Sequence, residues 1–338
     1  MIGNAAAAPK SLWIVTDGKA GDLQPARAIA RALEKETGTE IACTEKILKP
    51  RLFWRVLAPW GGPDPDESPR NPRGLLGVPH PDIVMATGRR CVPALRAFTA
   101  LKAPRPLTVF LKDPRTGPAT ADLIWTPEHD RLSGDSVLTT LTAPVLADAA
   151  ALIRHAETAS EALKALPGPR LAVVLGGPAG RTRFESGDIE AVAGAFRTAL
   201  EGFGSAIITA SRRTPSALSG ALRRDAQRSG KPFVFYGGEG ANPYPAMLGL
   251  ASAIIVTGDS HNMVSEAVAS AVPVAVIRPA ILMPKITRFL DALEATGRLC
   301  RPQALLEPAP VTPIDSTPTI ARAILAAYGR HIERAKTP

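Results

Sequence analysis

Cysteine is scarce in this sequence, and the few that occur are too widely spaced to act together. The chain has three in 338 residues, Cys43, Cys91 and Cys300, with no CxxC pair among them. An odd, dispersed set of thiols argues against a disulfide framework and against a cysteine-rich zinc site. We therefore expect a reducing compartment and no metal, since no His, Asp or Glu spacing suggests a metal site either.

Long hydrophobic runs are missing as well. The most apolar long window, residues 267–284, contains Arg278 and three prolines, which excludes a membrane-spanning helix there. The stretch MIGNAAAAPKSLW has neither the basic start nor the long apolar segment of a signal peptide. The sequence therefore predicts a soluble, cytoplasmic protein, and it leaves open a peripheral position at the inner face of a membrane.

Acidic residues are outnumbered, and the formal net charge is +9. This excess suits an acidic partner such as a phosphorylated small molecule, a nucleic acid or an anionic membrane face. The sequence has no Lys/Arg block and no basic-aromatic signature, so we expect no nucleic-acid partner. The charge alone does not indicate an oligomeric state.

Short apolar runs alternate with helical patterns, as in LWIV followed by LQPARAIARALEKETG. This alternation is typical of parallel sheets with helices on both faces, and the length favours two domains. The pattern begins again after EALKALPGPR. We therefore predict an α/β fold with two Rossmann-like domains, 1–165 and 166–315, whose parallel sheets face each other across a cleft. A C-terminal helix, within residues 316–338, would pack back on the first domain.

Nearly every unusual cluster of residues follows a predicted strand. In open α/β sheets, ligands bind beyond the carboxyl ends of the strands, where the first turns of helices present free N–H groups. Two such domains would therefore line one cleft with these strand ends. The clusters are residues 17–22, 88–90, 113–115, 176–183, 211–213, 237–242 and 258–262.

The first cluster, DGKAGDLQ, partly matches a dinucleotide-binding fingerprint. Gly18 and Gly21 are present, but Gln24 stands where a third glycine would let helix and strand approach. Glu45 follows the second strand, roughly where a ribose-binding acid would lie. A nicotinamide site therefore stays open beside the simpler interpretation, a glycine turn in a short strand–helix connection.

Glycines and arginines recur after two strands of the second domain. Gly177 is followed by Arg181 and Arg183, and Arg212 occupies the equivalent place after the next strand. Arginine forks match pairs of phosphate oxygens, and glycine lets backbone N–H groups approach an anion. Any one of these arginines could be an ordinary solvated charge, but the repetition favours an anion site.

The stretch GDSHNMVSEAV contains the most informative acid in the chain. Asp259 or Ser260 could be the N-cap of a structural helix. A cap does not explain Glu266, which lies further along an otherwise small and apolar helix. A carboxylate there could accept hydrogen bonds from both hydroxyls of a ribose whose phosphates lie at the helix N-terminus.

Several of these segments together resemble a known family. GEGANPYPAMLGLASAIIVTGDSHNMVSEAVASAVPV, SRRTP and LGGPAG are similar to the C-terminal half of the mitochondrial fission ELM family and its bacterial relatives. TDGKAGDLQPARAIARAL, PDIVMATGRR, FLKDPR and DLIWTPEHD resemble its N-terminal motifs. The resemblance covers most of the chain, roughly residues 13–298. Residues 258–273 also resemble the nucleotide-sugar site of GT-B glycosyltransferases.

The GT-B resemblance implies roles for particular residues. The first domain would receive the acceptor, and the second would bind the nucleotide. Ser260, His261, Asn262 and Met263 would face the diphosphate, Glu266 would bind the ribose, and the backbone near Tyr236 and Gly237 would contact the base. This chain lacks the histidine that some GT-B enzymes have in the first loop, and it has Asp22 and Gln24 there instead.

An inverting transfer needs a base from the first domain to deprotonate the acceptor. We expect Asp22 to be that base, because the first loop faces the cleft in this architecture. The other acids and bases on predicted strand ends are Asp17, Asp113, His129 and Asp130, of which His129 is better explained as a capping or core residue. No cofactor is required, and the nucleoside diphosphate or nucleotide-sugar is a ligand.

The segment PRLFWRVLAPW is apolar, aromatic and basic together. We expect an amphipathic helix packed on the first domain. The alternative is a surface that lies on an anionic membrane and meets a lipid-linked acceptor.

Three functions follow from these patterns and the resemblance. The first is a glycosyltransferase that uses a nucleoside-diphosphate sugar, and the second is a nucleotide-sugar epimerase, which the same architecture supports. The third is a non-catalytic, membrane-associated scaffold related to mitochondrial fission proteins.

Overall fold

The computed structural model describes residues 8–240, 242–307 and 311–336. Residues 1–7, which belong to the stretch compared with signal peptides, lie outside this description. The chain divides into two compact units. Unit 1 comprises the residues up to Leu146 and those from Ser316 onward, and unit 2 comprises Ala147–Asp315. The sequence placed the limit between the domains near residue 165, whereas the units divide at Leu146.

Unit 1 contains a six-stranded sheet in which all neighbouring strands are parallel. The spatial order is β2-β1-β3-β4-β5-β6. Every residue of the inner strands β3, β4 and β5 is buried, and so are four of the six residues of β1, as expected for a parallel sheet covered on both faces. The strands are β1 Ser11–Thr16, β2 Ala42–Ile47, β3 Ile83–Thr87, β4 Leu107–Leu111, β5 Leu123–Pro127 and β6 Val137–Thr140.

Four α-helices of unit 1 lie within the described residues. They are α1 Ala20–Thr37, α2 Leu52–Leu57, α3 Val92–Thr99 and, from the C-terminal part, α11 Thr317–Lys336. The first ends at Gly38, whose φ of 65° is the left-handed conformation that glycine adopts most easily and whose N–H donates to Glu34 O. The last is part of the core, because Ile320 and Ile324 are fully buried in the cluster that contains Leu12.

Unit 2 repeats the architecture with five parallel strands in the order β11-β10-β7-β8-β9. The first strand of unit 2, β7, is therefore central, and the later strands are added on both sides of it. The strands are β7 Arg170–Leu175, β8 Ser205–Ala210, β9 Phe233–Tyr236, β10 Ala253–Thr257 and β11 Val274–Ile277.

The helices of unit 2 begin before its first strand. They are α4 Ala149–Glu157, α5 Glu161–Lys164, α6 Ser186–Leu200, α7 Ser216–Arg228, α8 Tyr244–Leu250, α9 His261–Val268 and α10 Pro284–Ala295. The first is capped by Asp148, whose carboxylate accepts the N–H of Ala151 at 2.8 Å. It packs tightly on α8, since a Cβ on Gly249 would lie 2.0 Å from Leu152 O.

The expectation that PRLFWRVLAPW packs its apolar face on the first domain is wrong. The segment forms α2, but no residue of this helix is buried. Phe53, Val56 and Trp60 keep 64%, 65% and 66% of their surface exposed. An amphipathic pattern predicts a helix with an apolar face, but it does not say what covers that face.

We expect Ile324→Ala to lower the free energy of unfolding by about 2–5 kcal/mol, because it removes buried methylenes from the core of unit 1. The matched control is Ile153→Ala, since Ile153 is 62% exposed and its truncation should change stability by about 0.5 kcal/mol or less. Chemical denaturation of both variants measures the difference. Equal stability of the two variants would contradict the assignment of α11 to the core of unit 1.

Candidate functional site

The topology of unit 2 collects the predicted residues at one edge of its sheet. Because all five strands are parallel, their carboxyl ends lie along the same edge. The segments that follow β7, β8, β9 and β10 contain Gly177, Arg212, Gly237 and Ser260 respectively. Residue 241, in one of the predicted clusters, lies outside the described residues.

Asp259 ties two of these strand ends together. Its buried carboxylate accepts the N–H of Gly177 at 3.0 Å through Oδ2 and the hydroxyl of Thr257 at 2.7 Å through Oδ1. The same hydroxyl oxygen accepts the N–H of Gly176 at 2.7 Å. Burial raises the pKa of the Asp259 carboxyl above its ordinary value, although these hydrogen bonds oppose the shift. Asp259 therefore links β10 to β7 and is not the helix cap.

The two glycines after β7 are required by close contacts. A Cβ on Gly176 would lie 2.2 Å from the Asp259 carboxylate, and one on Gly177 would lie 2.0 Å from Arg213 O. Thr214 completes the junction, because its hydroxyl lies 2.7 Å from Gly176 O. Since the Gly177 N–H already donates to Asp259, we interpret Gly177 as the residue that lets the loop after β7 lie close to the loop after β8.

Helix α9 begins directly behind this junction. Ser260 is the N-cap, with extended backbone geometry, and its Oγ accepts the Met263 N–H at 3.5 Å. The His261 ring packs edge-on against Phe289 with 4.4 Å between the ring centroids. Residues 260–263 are half-buried, so the first turn of the helix is reachable by a ligand.

Glu266 lies on the same helix and has one clear partner. The Tyr244 hydroxyl, from the first turn of α8, donates to Glu266 Oε2 at 2.8 Å. Burial raises the pKa of Glu266 to about 7, and the hydrogen bond from Tyr244 opposes this shift. Burial and the adjacent carboxylate also raise the pKa of Tyr244 well above its ordinary value, so the hydroxyl keeps its proton. The pair presents a fixed carboxylate at the helix surface.

Tyr244 is the residue that sequence reasoning missed. It is one of only three tyrosines in the chain, and its polar tip needs a partner when the ring is covered. That signal was present in NPYPAM, but the partner lies 22 residues away, in another helix.

The three predicted phosphate-binding arginines are all exposed but differ in their contacts. The Arg183 guanidinium donates to Gly180 O and Thr182 O, both at 2.9 Å. Within the described part of the chain, Arg181 and Arg212 have no hydrogen bond or ion pair to their side chains. Two of the three guanidinium groups are therefore available to an anion.

The end of β9 is an open loop. The hydroxyl of Tyr236 donates to Gly240 O at 3.4 Å, and Gly237 is exposed. Gly238 and Gly240 have φ values of 109° and 78°, which favour glycine. The loop can therefore present backbone groups to a ligand.

In unit 1, Asp22 is held by a neighbouring cation. It lies in the first turn of α1, and its Oδ1 accepts a hydrogen bond from Lys112 Nζ. Both residues line a cavity of about 200 Å³ with Gly88 and Arg115. The structure thus presents Asp22 as half of an ion pair.

The other acids and bases proposed for unit 1 differ in burial and contacts. The Asp17 side chain is fully buried. Lys19 Nζ donates to its Oδ2 at 2.8 Å, whereas its Oδ1 has no partner among the described residues. Asp113 accepts the Arg115 N–H at 2.7 Å. His129 is buried, with Nε2 3.9 Å from Asp130.

Within residues 8–240, 242–307 and 311–336, no three or more His, Cys, Asp or Glu side chains are grouped so that they could hold a metal ion. In the same described ranges, no helix is long and apolar enough to cross a membrane.

Sequence comparison assigns most of the chain to one family. The family model described as mitochondrial fission ELM1 matches residues 20–328. The mitochondrial fission protein ELM1 of Arabidopsis thaliana is 26% identical over 240 residues, which are 64% of this chain and 56% of that protein. The match therefore spans only about half the length of that relative.

Structural comparison identifies the fold. The UDP-GlcNAc 2-epimerase of Methanocaldococcus jannaschii aligns with a TM-score of 0.50 and 12% identity, over 94% of this chain and 99% of that one. A protein of Listeria monocytogenes assigned as a UDP-N-acetylglucosamine 2-epimerase aligns with a TM-score of 0.52 and 16% identity, over 97% and 98%. The predicted α/β fold with two parallel, GT-B-like sheets is confirmed. At these identities the likeness concerns the fold alone.

We expect Gly177→Ala to destabilise unit 2 by about 1–3 kcal/mol, because its Cβ would overlap the backbone at Arg213. The matched control is Gly187→Ala in α6, where a Cβ meets nothing within 4 Å and should stabilise by about 0.4–1 kcal/mol. Thermal unfolding of both variants measures the contrast. A Gly177 variant as stable as wild type would contradict the close contact between Gly177 and the Arg213 backbone.

Proposed function

The chain belongs to the mitochondrial fission ELM1 family, and we propose that its unit 2 binds a nucleoside diphosphate or a nucleoside-diphosphate sugar. The ligand would lie at the carboxyl edge of the unit 2 sheet, with its diphosphate at the start of α9 and its ribose at Glu266. The nucleotide is a ligand in this proposal, and no resident cofactor is required.

The observation that carries the proposal is the Glu266–Tyr244 pair. Tyr244 fixes the carboxylate with one hydrogen bond of 2.8 Å. An ionised carboxylate has about four acceptor sites, so one bond from tyrosine leaves capacity for the two hydroxyls of a ribose. A half-buried acid in a helix of small and apolar residues costs stability, so its presence favours a functional role.

The phosphate end of the proposed site uses the start of the same helix. The helix dipole at the start of α9 favours an anion there. Glu266 lies six residues after Ser260, which is about 9 Å along a helix axis and comparable with the separation of a ribose from a β-phosphate. Arg181 and Arg212 would neutralise the diphosphate.

The remaining predicted residues take supporting roles. The loop after Tyr236 and Gly237 would contact the base through its backbone. Arg183 and Gly177 already donate hydrogen bonds within the protein, so we propose that they shape the loops beside the phosphates.

We propose glycosyl transfer as the reaction. A base removes the proton of an acceptor hydroxyl, the resulting oxygen attacks the anomeric carbon, and the nucleoside diphosphate leaves with the electrons of the broken C–O bond. Asp22 is our candidate base, with Lys112 holding its carboxylate. A lipid-linked molecule is the acceptor class that would suit a peripheral membrane protein.

Two other functions have specific support. The solved structures of similar fold are described as UDP-GlcNAc 2-epimerases, so epimerisation of a nucleotide-sugar is the rival reaction. An epimerase converts the sugar without an acceptor, which NMR of UDP-GlcNAc incubated with the protein would detect. A membrane-associated scaffold is favoured instead by the family description and by the exposed apolar face of α2.

Nucleotide binding can be measured with a thermal-shift panel of UDP, GDP, ADP, CMP and their sugar conjugates. One nucleotide should raise the melting temperature of the wild type, and Glu266→Ala should weaken its binding by about 1–3 kcal/mol because the ribose hydroxyls lose their acceptor. Glu266→Gln is the matched control for shape. The absence of a shift with any nucleotide at millimolar concentration would overturn the donor-site proposal and favour the scaffold.

The affinity for a nucleotide-sugar should depend on pH. Because the pKa of Glu266 is about 7, the carboxylate form should dominate only above that pH, and nucleotide-sugar affinity should rise as the pH increases through about 7. A nucleotide-sugar is the suitable probe because its diphosphate has no proton to lose in this range. Tyr244→Phe removes the hydrogen bond that lowers the pKa, so the midpoint should move to higher pH.

Glu266→Gln is the control for this profile and should flatten it. A profile that keeps its midpoint in Glu266→Gln would exclude Glu266 as the titrating group. Isothermal titration calorimetry across the pH range measures all three proteins.

A further inference from the structure

Exposed apolar side chains are concentrated in one part of unit 1. Of the eleven exposed large hydrophobic residues in the described structure, eight lie within residues 47–78, which makes this segment different from the rest of the surface. They are Ile47, Leu52, Phe53, Val56, Leu57, Trp60, Leu75 and Val78.

Five of these residues share the helix α2 and the turn that follows it. Their positions, 52, 53, 56, 57 and 60, have the spacing of an apolar helix face that normally meets a protein core. Here that face meets solvent, because α2 contains no buried residue and Leu52, Phe53, Val56 and Trp60 are each about two-thirds exposed. We call these five residues the α2 face.

Side chains of neighbouring segments donate hydrogen bonds to the backbone of the α2 face, although the face itself is uncovered. The Arg89 guanidinium donates to Val56 O and Ala58 O, and Arg96 Nη1 donates to Trp60 O at 3.0 Å. At the other end, Arg51 Nε donates to both carboxylate oxygens of the buried Asp64, at 3.1 and 2.9 Å. Because several hydrogen bonds fix the backbone of this segment, its apolar side chains are exposed on an ordered helix and not on a frayed one.

A polar groove adjoins the α2 face at Trp60. Its volume is about 580 Å³, and Arg70 and Arg96 line it while no carboxylate does. Among the described residues, the side chains of Arg55 and Arg70 have no hydrogen bond or ion pair. The exposed acid nearby, Asp66, lies 3.8 Å from Arg51. The edge of the apolar face is therefore predominantly cationic.

We infer that the α2 face docks on an anionic lipid bilayer, with the groove beside it receiving lipid phosphates. Leu52, Phe53, Val56 and Trp60 enter the boundary between headgroups and acyl chains, as the apolar face of an interfacial helix does. Arg55, Arg70 and Arg96 stay at the level of the phosphates, where each cation is favoured by the negative surface potential. The excess of cations argues against a second copy of the chain as the occupant, because two identical basic rims would repel.

The α2 face would bind the membrane whether or not unit 2 binds a nucleotide. Membrane binding is tested by flotation of the full chain with two kinds of vesicle, pure phosphatidylcholine and phosphatidylcholine mixed with phosphatidylglycerol. Wild type should float with the anionic vesicles, and higher ionic strength should release part of it.

Two sets of variants separate the apolar and cationic contributions. Phe53→Ser combined with Trp60→Ser should lower the partition coefficient at least about tenfold, because two large side chains no longer enter the lipid. Arg55→Gln combined with Arg70→Gln should lower the preference for anionic vesicles by about fivefold per charge. All four side chains are exposed, so folding should persist.

Matched controls come from unit 2. Ile153→Ser replaces an equally exposed apolar residue, and Arg224→Gln replaces an exposed cation, so both should bind vesicles within about twofold of wild type. The thermal shift by nucleotide should be unchanged in the Phe53/Trp60 variant, which distinguishes failure of this inference from failure of the nucleotide site.

Three results would overturn the inference. The first is wild type that fails to float with anionic vesicles. The second is Ile153→Ser losing as much binding as the Phe53/Trp60 variant. The third is a dimer in sedimentation velocity that becomes a monomer in the Phe53/Trp60 variant, which would make the α2 face an interface between copies.

Discussion

The carboxylate of Asp259 is the interaction on which the rest of the candidate site depends. It joins the end of β10 to Gly177 after β7 and thereby fixes the two loops from which a ligand would be held. Gly176 and Gly177 have no side chains because this carboxylate and the Arg213 carbonyl occupy the space. Ser260 can then cap α9, since the neighbouring acid is turned away from the helix. The buried Asp259 carboxylate therefore acts mainly by fixing the backbone of the loops around the site.

The fold could be predicted from sequence because its signals are local. Alternating apolar runs and helical patterns identify a parallel α/β sheet, and the pattern begins twice, which gives two units. Helix α10 was not predicted, because its first residues, PKI, continue an apolar and proline-rich stretch that resembles a loop. The limit between the units was misjudged by about twenty residues relative to Leu146, since α4 contacts α8 far along the chain and no local pattern records that contact.

The candidate site was only partly predictable, for the same physical reason. Glu266 stood out because an acid in a small-residue helix is locally anomalous. Its partner Tyr244 did not, because the hydrogen bond joins two helices across a strand. The sequence left Asp259 and Ser260 as equal candidates for the cap, and only the three-dimensional contact with Gly177 separates them. The exposure of α2 was misjudged because periodicity describes one helix and not its surroundings.

The return of α11 to the sheet of unit 1 has a consequence for biosynthesis. Unit 1 is discontinuous in the chain, and the whole of unit 2 is encoded between its two segments. A ribosome therefore completes unit 2 before it makes the helix that covers Leu12 and its neighbours. Until then the nascent unit 1 carries an uncovered apolar sheet face, which is the kind of surface that chaperones recognise and that aggregates when synthesis stalls.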